Sequence, residues 1–435
     1  MSATAKKIGP VLATFLVANN MIGSGFFLLP ATLAKSGGVT ALAWVVCTVL
    51  AVVLGGAFAR LAREYPGMQS PDDYVRPSLG RDAGFLATTL YWTTCWTGNS
   101  AIAVAAFGYL VVLLPVQDSP GVRLAGQLAL IWLMLAANLM GPRQVAKFQS
   151  LCVVLGLLPV AAVLIAGWAH FDPALYREAW NVTDRHDAAV VMSSLAPVFW
   201  AFVGLETGAM VAGIVRDPDR NVPRATIGGI AIAGAVYLVA SVLMMGIVPA
   251  AQMAASGAPF ALVAGIMFGP WAVPVIAAAA ALKATGTLGG WMLVAGETGA
   301  RAAQRGLLPR MFGQLRPDGT AVRGLVVVTV AMSAIAIATS AGSVGAQFEF
   351  LINAVLILNV LAYAAAGLSL MFGSGVRPVS TRDRGLGFGA LCACGLLLAS
   401  APPRMLVVAA VLVLLAWAGW RAFGTRAGAP GHAPG

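Results

Sequence analysis

The sequence predicts an all-α membrane protein of about twelve transmembrane helices. Three observations predict it: the scarcity of charge, the length of the apolar runs, and the placement of the few basic residues. Of 435 residues, 59% are hydrophobic and only 10% charged, with a mean hydropathy of +0.86. A soluble domain carries about 25% charged residues, so this chain cannot dress a water-facing surface and must meet lipid. In lipid every backbone N–H and C=O needs an internal partner, which leaves helices or a closed barrel. The apolar runs pass the 18 or so residues that a spanning helix needs, and they do not alternate with period two.

Twelve such runs lie at about 9–34, 39–61, 83–115, 122–141, 146–170, 189–214, 224–249, 271–300, 322–342, 347–373, 385–400 and 403–424. The runs at 83–115 and 271–300 are longer than the bilayer requires and predict helices that tilt or project. Lys6 and Lys7 precede the first run as in a signal peptide. That run is too long and has no Ala-x-Ala-like cleavage site, so it reads as the first helix.

A net charge of +11 invites a nucleic-acid reading, which the placement of the charge excludes. With the N-terminus inside, only Lys35, Arg123, Arg177, Arg185 and Arg404 fall on the outer segments. Lys283 falls in the middle of the eighth helix, and the rest of the 27 lysines and arginines fall on inner segments. This bias follows the positive-inside rule, puts both termini in the cytoplasm and requires an even number of helices.

Loops are short, so the expectation is one polytopic domain over 1–424 with a cytoplasmic tail at 425–435. No phosphate-binding loop, dinucleotide fingerprint or nucleophile elbow is present, so the chain reads as neither an ATPase nor an enzyme. Cys47, Cys95, Cys152, Cys392 and Cys394 all fall in apolar helices without metal-ligand spacing. The three histidines are scattered, so neither a metal nor a cofactor is expected.

Two helices carry breaks. In the first, Asn19-Asn20-Met21-Ile22-Gly23-Ser24-Gly25-Phe26 places two glycines around a serine, and Pro30 follows. Such residues are poor helix formers, and unwound backbone inside a membrane is tolerated only where it lines a cavity or is buried in protein. A close helix-packing face is the alternative reading. The sixth helix decides between them, because Phe199 to Thr207 places Gly204 and Glu206 at mid-span, five helices after the first break. Five is odd, so helices 1–5 and 6–10 would run with opposite orientations, as inverted repeats at about 9–170 and 189–373. Paired breaks at such an offset point to a binding site at the membrane midplane.

Ionisable groups at membrane depth cost about 2.5–3.5 kcal/mol on insertion scales and are functional candidates by default. Glu206 is the leading one, as a gate partner, a proton carrier or a counter-charge to a cation. Glu297 and Glu349 sit near helix ends, where headgroups solvate them. Lys283 either pairs with a carboxylate such as Glu206 or faces the aqueous pathway. Trp200, beside the sixth-helix break, and Trp291, after Gly286-Thr287-Leu288-Gly289-Gly290, are placed to cover or stack on an organic cation.

Taken together, these segments resemble the amino acid–polyamine–organocation superfamily and, within it, the basic amino acid/polyamine antiporters that exchange arginine for agmatine. The resemblance rests on Met21 to Pro30, on Leu90-Tyr91-Trp92 followed by Cys95-Trp96-Thr97-Gly98-Asn99, and on Trp200 to Glu206. It continues through Asp217 to Pro223 with Ala225 to Gly229, and Leu288 to Trp291. It covers nearly the whole chain and weakens after about residue 375.

The resemblance implies a LeuT-like core of five plus five inverted helices with two extra C-terminal helices. It also implies a homodimer in the bacterial inner membrane, and a functional link to a cytoplasmic amino acid decarboxylase, as in acid resistance. By the same resemblance Asn20, Met21, Ser24 and Gly25 hold the substrate's amino and carboxylate groups, with Trp200 and Val203 closing over them. Thr94, Cys95 and Asn99 meet a guanidinium, and Trp291 stacks on it. Tyr91, Glu206 and Tyr363 match the inner gate.

The sequence departs from the pattern where Val355 stands at a position expected to be serine, and Thr94 at one expected to be alanine. Lys283 stands where the family pattern has a small residue. At about 8 Å and an effective dielectric of about 20, such a cation repels a cationic substrate by about 2 kcal/mol. This keeps a second reading open: a proton-coupled or exchange permease for neutral amino acids, with Lys283 setting coupling or selectivity. A channel or an intramembrane enzyme is disfavoured, since the sequence has neither a ring-forming repeat nor a catalytic dyad.

Overall fold

The computed structural model describes residues 7–210, 212, 215–373 and 378–423, leaving aside the side chains of Ser24, Leu415 and Gly419 to Phe423. Lys6, Arg377, Arg426 and the tail expected at 425–435 lie outside the described residues. Among the described residues, ten helices are long and apolar enough to cross a membrane, and a bent pair makes an eleventh span. A further apolar helix, Pro403–Phe423, brings the bundle to the expected twelve.

In chain order, span 1 is the pair Pro10–Met21 and Ser24–Ala34, bent by 49°. Spans 2 to 5 are Thr40–Glu64, Arg81–Leu110, Pro120–Leu139 and Pro142–Ala166. Span 6 starts as Asp187–Phe199, tightens into a 3₁₀ turn Trp200–Phe202 and resumes at Thr207–Met210. Spans 7 to 11 are Pro218–Met245, Ala272–Gln304, Val322–Thr339, Val344–Phe372 and Thr381–Ser400; Pro403–Phe423 is span 12.

The starts of these helices follow local chemistry. Proline opens spans 1, 4, 5 and 7, where a missing N–H costs nothing. Ser119, Ser343 and Ser380 cap spans 4, 10 and 11 by accepting from the N–H of Val122, Ala346 and Asp383. Span 7 was expected from 224 but begins at Pro218. Asp217, at φ +47°, turns the chain so that the proline starts the helix. Pro259–Phe268 escaped the reading because an apolar run of 10 residues is too short to span.

Packing sets apart a centre and a rim. Spans 3 and 8, the longest, pack against each other, and with span 10 their apolar windows are the most deeply buried. Spans 4, 5 and 9 leave most of their surface outward, with Leu133, Leu158, Ile165 and Ile337 exposed as a lipid-facing surface requires. The contacts also carry a five-span offset. Span 1 packs on span 7 as span 6 packs on span 2, and span 3 packs on span 10 as span 8 packs on span 5. Near Ile8, where span 1 begins, the backbone bridges Val215, just past the end of span 6, so the two broken spans reach the same face.

Candidate substrate site

The span 1 break is built by backbone rather than by side chains. Ile22 donates to the Ala18 carbonyl at 2.9 Å and Gly23 to the Met21 carbonyl at 2.7 Å. The chain then restarts as a helix at Ser24 with no side-chain cap. The opening turn of a helix leaves its N–H groups without intrahelical acceptors and carries a partial positive charge. Here that turn faces a buried cavity lined by Asn20, Met21, Gly23 and Gly25. The side chain of Ser24 lies outside the described residues.

The span 6 break closes the cavity from the other side. Val203 is extended and Gly204 sits at φ +104°, a region that disfavours any side chain. A Cβ on Gly204 would lie 3.3 Å from the Trp291 ring and 3.5 Å from the Asn20 carbonyl oxygen. Glycine therefore lets span 6 thread between spans 1 and 8. The carbonyl freed at Ala201 accepts from the buried Tyr237 hydroxyl at 2.9 Å, so the break leaves no orphaned acceptor there.

Trp200 crosses the cavity. A Cβ on Gly25 would fall 2.8 Å from its pyrrole edge, and one on Gly98 would fall 3.0 Å from its far ring edge. The indole thus rests on a glycine of span 1 and a glycine of span 3. Val355 reaches the same Gly98 surface, at 3.7 Å. Val355 is buried and adjoins the Trp200 shelf without forming part of the cavity wall.

Thr94, Cys95, Asn99, Val203 and Trp291 also line the cavity, with Gly98, Ile102, Ala201 and Thr287, which the sequence reading did not single out as site residues. Thr94 turns its hydroxyl back to the Tyr91 carbonyl at 2.7 Å. Asn99 is fully buried, and neither its amide nitrogen nor its carbonyl oxygen has a protein partner. A buried amide normally finds partners, so Asn99 offers the cavity a donor pair and an acceptor.

Glu206 forms the floor. Its Oε1 accepts from the Tyr91 hydroxyl at 3.1 Å, while Oε2 accepts from the Tyr363 hydroxyl and from the Gly204 N–H at 3.2 Å. All three side chains are buried. Spans 3, 6 and 10 are thereby pinned together at one carboxylate. Tyr363 is one helical turn from Asn359, which is also fully buried; nothing in the sequence pattern marked Asn359.

Lys283 follows neither sequence-based alternative. It is buried, forms no ion pair among the described residues, and is not among the residues that line the cavity. Its ammonium donates to Thr287 Oγ1 at 3.1 Å, and Thr287 Oγ1 donates to the Lys283 carbonyl at 3.0 Å. Glu297 and Glu349 do lie near helix ends, paired with Arg301 at 3.2 Å and Lys35 at 2.8 Å. Among the described cysteines only Cys392 is exposed, and all are free.

Two broken helices meeting at a largely apolar cavity with a few polar groups in its wall, inside a bundle of about twelve apolar helices, define a multi-pass membrane transporter. The chain matches the amino acid permease family over residues 8–422 and belongs to it, within the amino acid–polyamine–organocation superfamily. Over 382 residues it is 36% identical to the cadaverine/lysine antiporter of Escherichia coli K12, covering 86% of this chain and 85% of that protein. It is 32% identical over 372 residues to the putrescine transporter PotE of the same strain (85% and 84% covered). With PotE of Haemophilus influenzae it shares 30% identity over 363 residues, or 83% of each chain.

Proposed function

We propose that the chain exchanges a basic amino acid for a decarboxylated amine across the bacterial inner membrane, with arginine and agmatine as one pair and lysine and cadaverine as another. The relatives' names support the class: one exchanges lysine and cadaverine, and others carry putrescine. The observation that carries the reading is the polarity of the cavity. One end is the helix opening at Gly23 to Gly25, suited to a carboxylate. Elsewhere its wall holds the unpartnered Asn99 amide and the faces of Trp200 and Trp291, suited to a cation.

In this reading Asn20, Met21 and Gly25, with Ser24, receive the amino-acid head group, and Trp200 and Val203 cover it. Thr94, Cys95, Asn99 and Trp291 meet the side-chain cation. Tyr91, Glu206 and Tyr363 form a gate that must part before the substrate leaves on the Pro10 side, which the basic residues assign to the cytoplasm. The core is two inverted repeats, 9–170 and 189–373, and the five-span offset in the packing supports that division. A homodimer and a partnership with a cytoplasmic decarboxylase complete the proposal: exchanging a monocation for its dicationic amine exports one positive charge per cycle.

Counterflow in proteoliposomes tests it, with labelled arginine or lysine inside and a panel of amines and amino acids outside. Efflux driven by agmatine or cadaverine is the expected result. Efflux driven by neutral amino acids alone would overturn it in favour of a neutral amino acid permease, the reading to which the buried Lys283 lends support.

A further inference from the structure

Lys283 is the one basic side chain among the described residues that is fully buried. Its stem runs against span 5, where a Cβ on Gly156 would stand 3.1 Å from the Lys283 Cα. Cys152, one turn away on span 5, packs against Gly286, with its Sγ 3.0 Å from where a Cβ would stand. Span 5 therefore offers Lys283 a thiol and a bare glycine surface but no acid. On its own span the ammonium has only the Thr287 hydroxyl, which uses one of its three donors. A buried charge with so little compensation is costly, and it needs a counter-charge to justify its place.

Thr287 gives the direction of that counter-charge. Its hydroxyl holds the Lys283 ammonium, its side chain lines the cavity, and its methyl lies 3.3 Å from the Cβ position of Gly23. The ammonium therefore stands one threonine behind the span 1 break. Glu206 is not its partner: the ammonium turns to Thr287, and the carboxylate accepts instead from Tyr91, Tyr363 and the Gly204 N–H. The positive helix opening and the ammonium lie at the same end of the cavity.

We propose that Lys283 is a positioning residue for selectivity: acting through Thr287, its ammonium favours an occupant that carries a carboxylate at the span 1 break over the same molecule without one. This rests on the amino acid/amine reading above and gives that exchange a built-in asymmetry. An amino acid brings a carboxylate to the ammonium, whereas its decarboxylated amine brings only further positive charge. Over about 6 Å at an effective dielectric of about 20, Coulomb's law predicts a discrimination of up to about 100-fold.

The test uses full-length protein in proteoliposomes and measures competition of labelled amino acid exchange by an amino acid and by its own amine. Lys283→Met is expected to raise the amine's apparent affinity relative to the amino acid's by about 10-fold or more, while Lys283→Arg keeps the wild-type ratio. Lys283→Gln, which retains a donor to Thr287, serves if the methionine variant does not fold, and it is expected to move the ratio in the same direction. Equal shifts in both affinities, or an unchanged ratio in the neutral variants, would overturn the proposal and leave Lys283 a packing role. Absence of basic amino acid exchange by the wild type fails the functional reading instead, so the two failures are distinguishable.

Discussion

The two helix breaks solve the same problem in opposite ways. In span 6 the break brings its own cap: Glu206, two residues on, accepts the Gly204 N–H, and Tyr237 reaches across to the Ala201 carbonyl. In span 1 the helix restarts at Ser24 with no side-chain cap. Freed backbone in a membrane must find partners. A break that satisfies itself is a structural joint, and one left open toward a cavity is a receptor. On the proposed reading, the span 6 break closes the pathway and the span 1 break holds what passes through it.

The largest effect should come from removing the span 6 cap. Glu206→Ala leaves two tyrosine hydroxyls and one N–H buried without an acceptor, each worth about 1–3 kcal/mol. Exchange should be abolished, and thermal unfolding in detergent should shift down by several degrees. Glu206→Gln keeps one acceptor and should recover most of the stability but not the transport. If Glu206→Ala exchanges like the wild type, the self-capped joint is not a gate.

This contrast was only half legible in the sequence. Gly23-Ser24-Gly25 and Gly204 with Glu206 are local signals, because glycines and a carboxylate have no ordinary place in the middle of an apolar helix. Tyr91 and Tyr363 carried no such signal. A tyrosine in an apolar run reads as an interfacial or core residue, and only the three-dimensional convergence of spans 3, 6 and 10 brings both hydroxyls to one carboxylate. Those two came from family resemblance rather than from chemistry. Thr287 was passed over for a related reason: threonine in a helix usually bonds its own backbone, as this one does, and its second contact, to Lys283, is visible only in the fold. The spans themselves were legible because lipid demands long apolar helices. The short Pro259–Phe268 was not, because ten apolar residues fit many structures.

The next effect sharpens the other half of the comparison. Gly25→Ala places a methyl 2.8 Å from the Trp200 indole. Overpacking of this kind costs about 1–3 kcal/mol. On the proposed reading the clash is at the receptor, so it should appear in binding. Apparent substrate affinity should fall by roughly 10-fold with little change in thermal stability, and tryptophan fluorescence should report the displaced indole. A loss of stability with unchanged affinity would mean that the open break is a packing feature.

Gly204→Ala tests the joint more gently. The left-handed backbone costs a side chain about 1–2 kcal/mol, and the added methyl meets Trp291 at 3.3 Å. Stability should fall by that amount, read from the shift in unfolding midpoint, with a smaller loss of affinity than at Gly25. The reverse ranking of the two glycine variants would exchange the roles of the breaks.

The smallest effect is expected beyond the break, at the far end of the span 1 half-helix. Lys35, just past Ala34, pairs with Glu349 of span 10 at 2.8 Å, and both side chains are more than a third exposed, at 46% and 40%. Solvent and salt screen such a pair, so its worth is at most about 1 kcal/mol. Lys35→Met should leave stability within that limit and apparent affinity unchanged. High salt should erase any residual difference from the wild type. If Lys35→Met lowered affinity as much as Gly25→Ala, the half-helix would be held in place by its outer end. The receptor would then owe its geometry to that tether, and the open break at Gly23 would be a consequence of it.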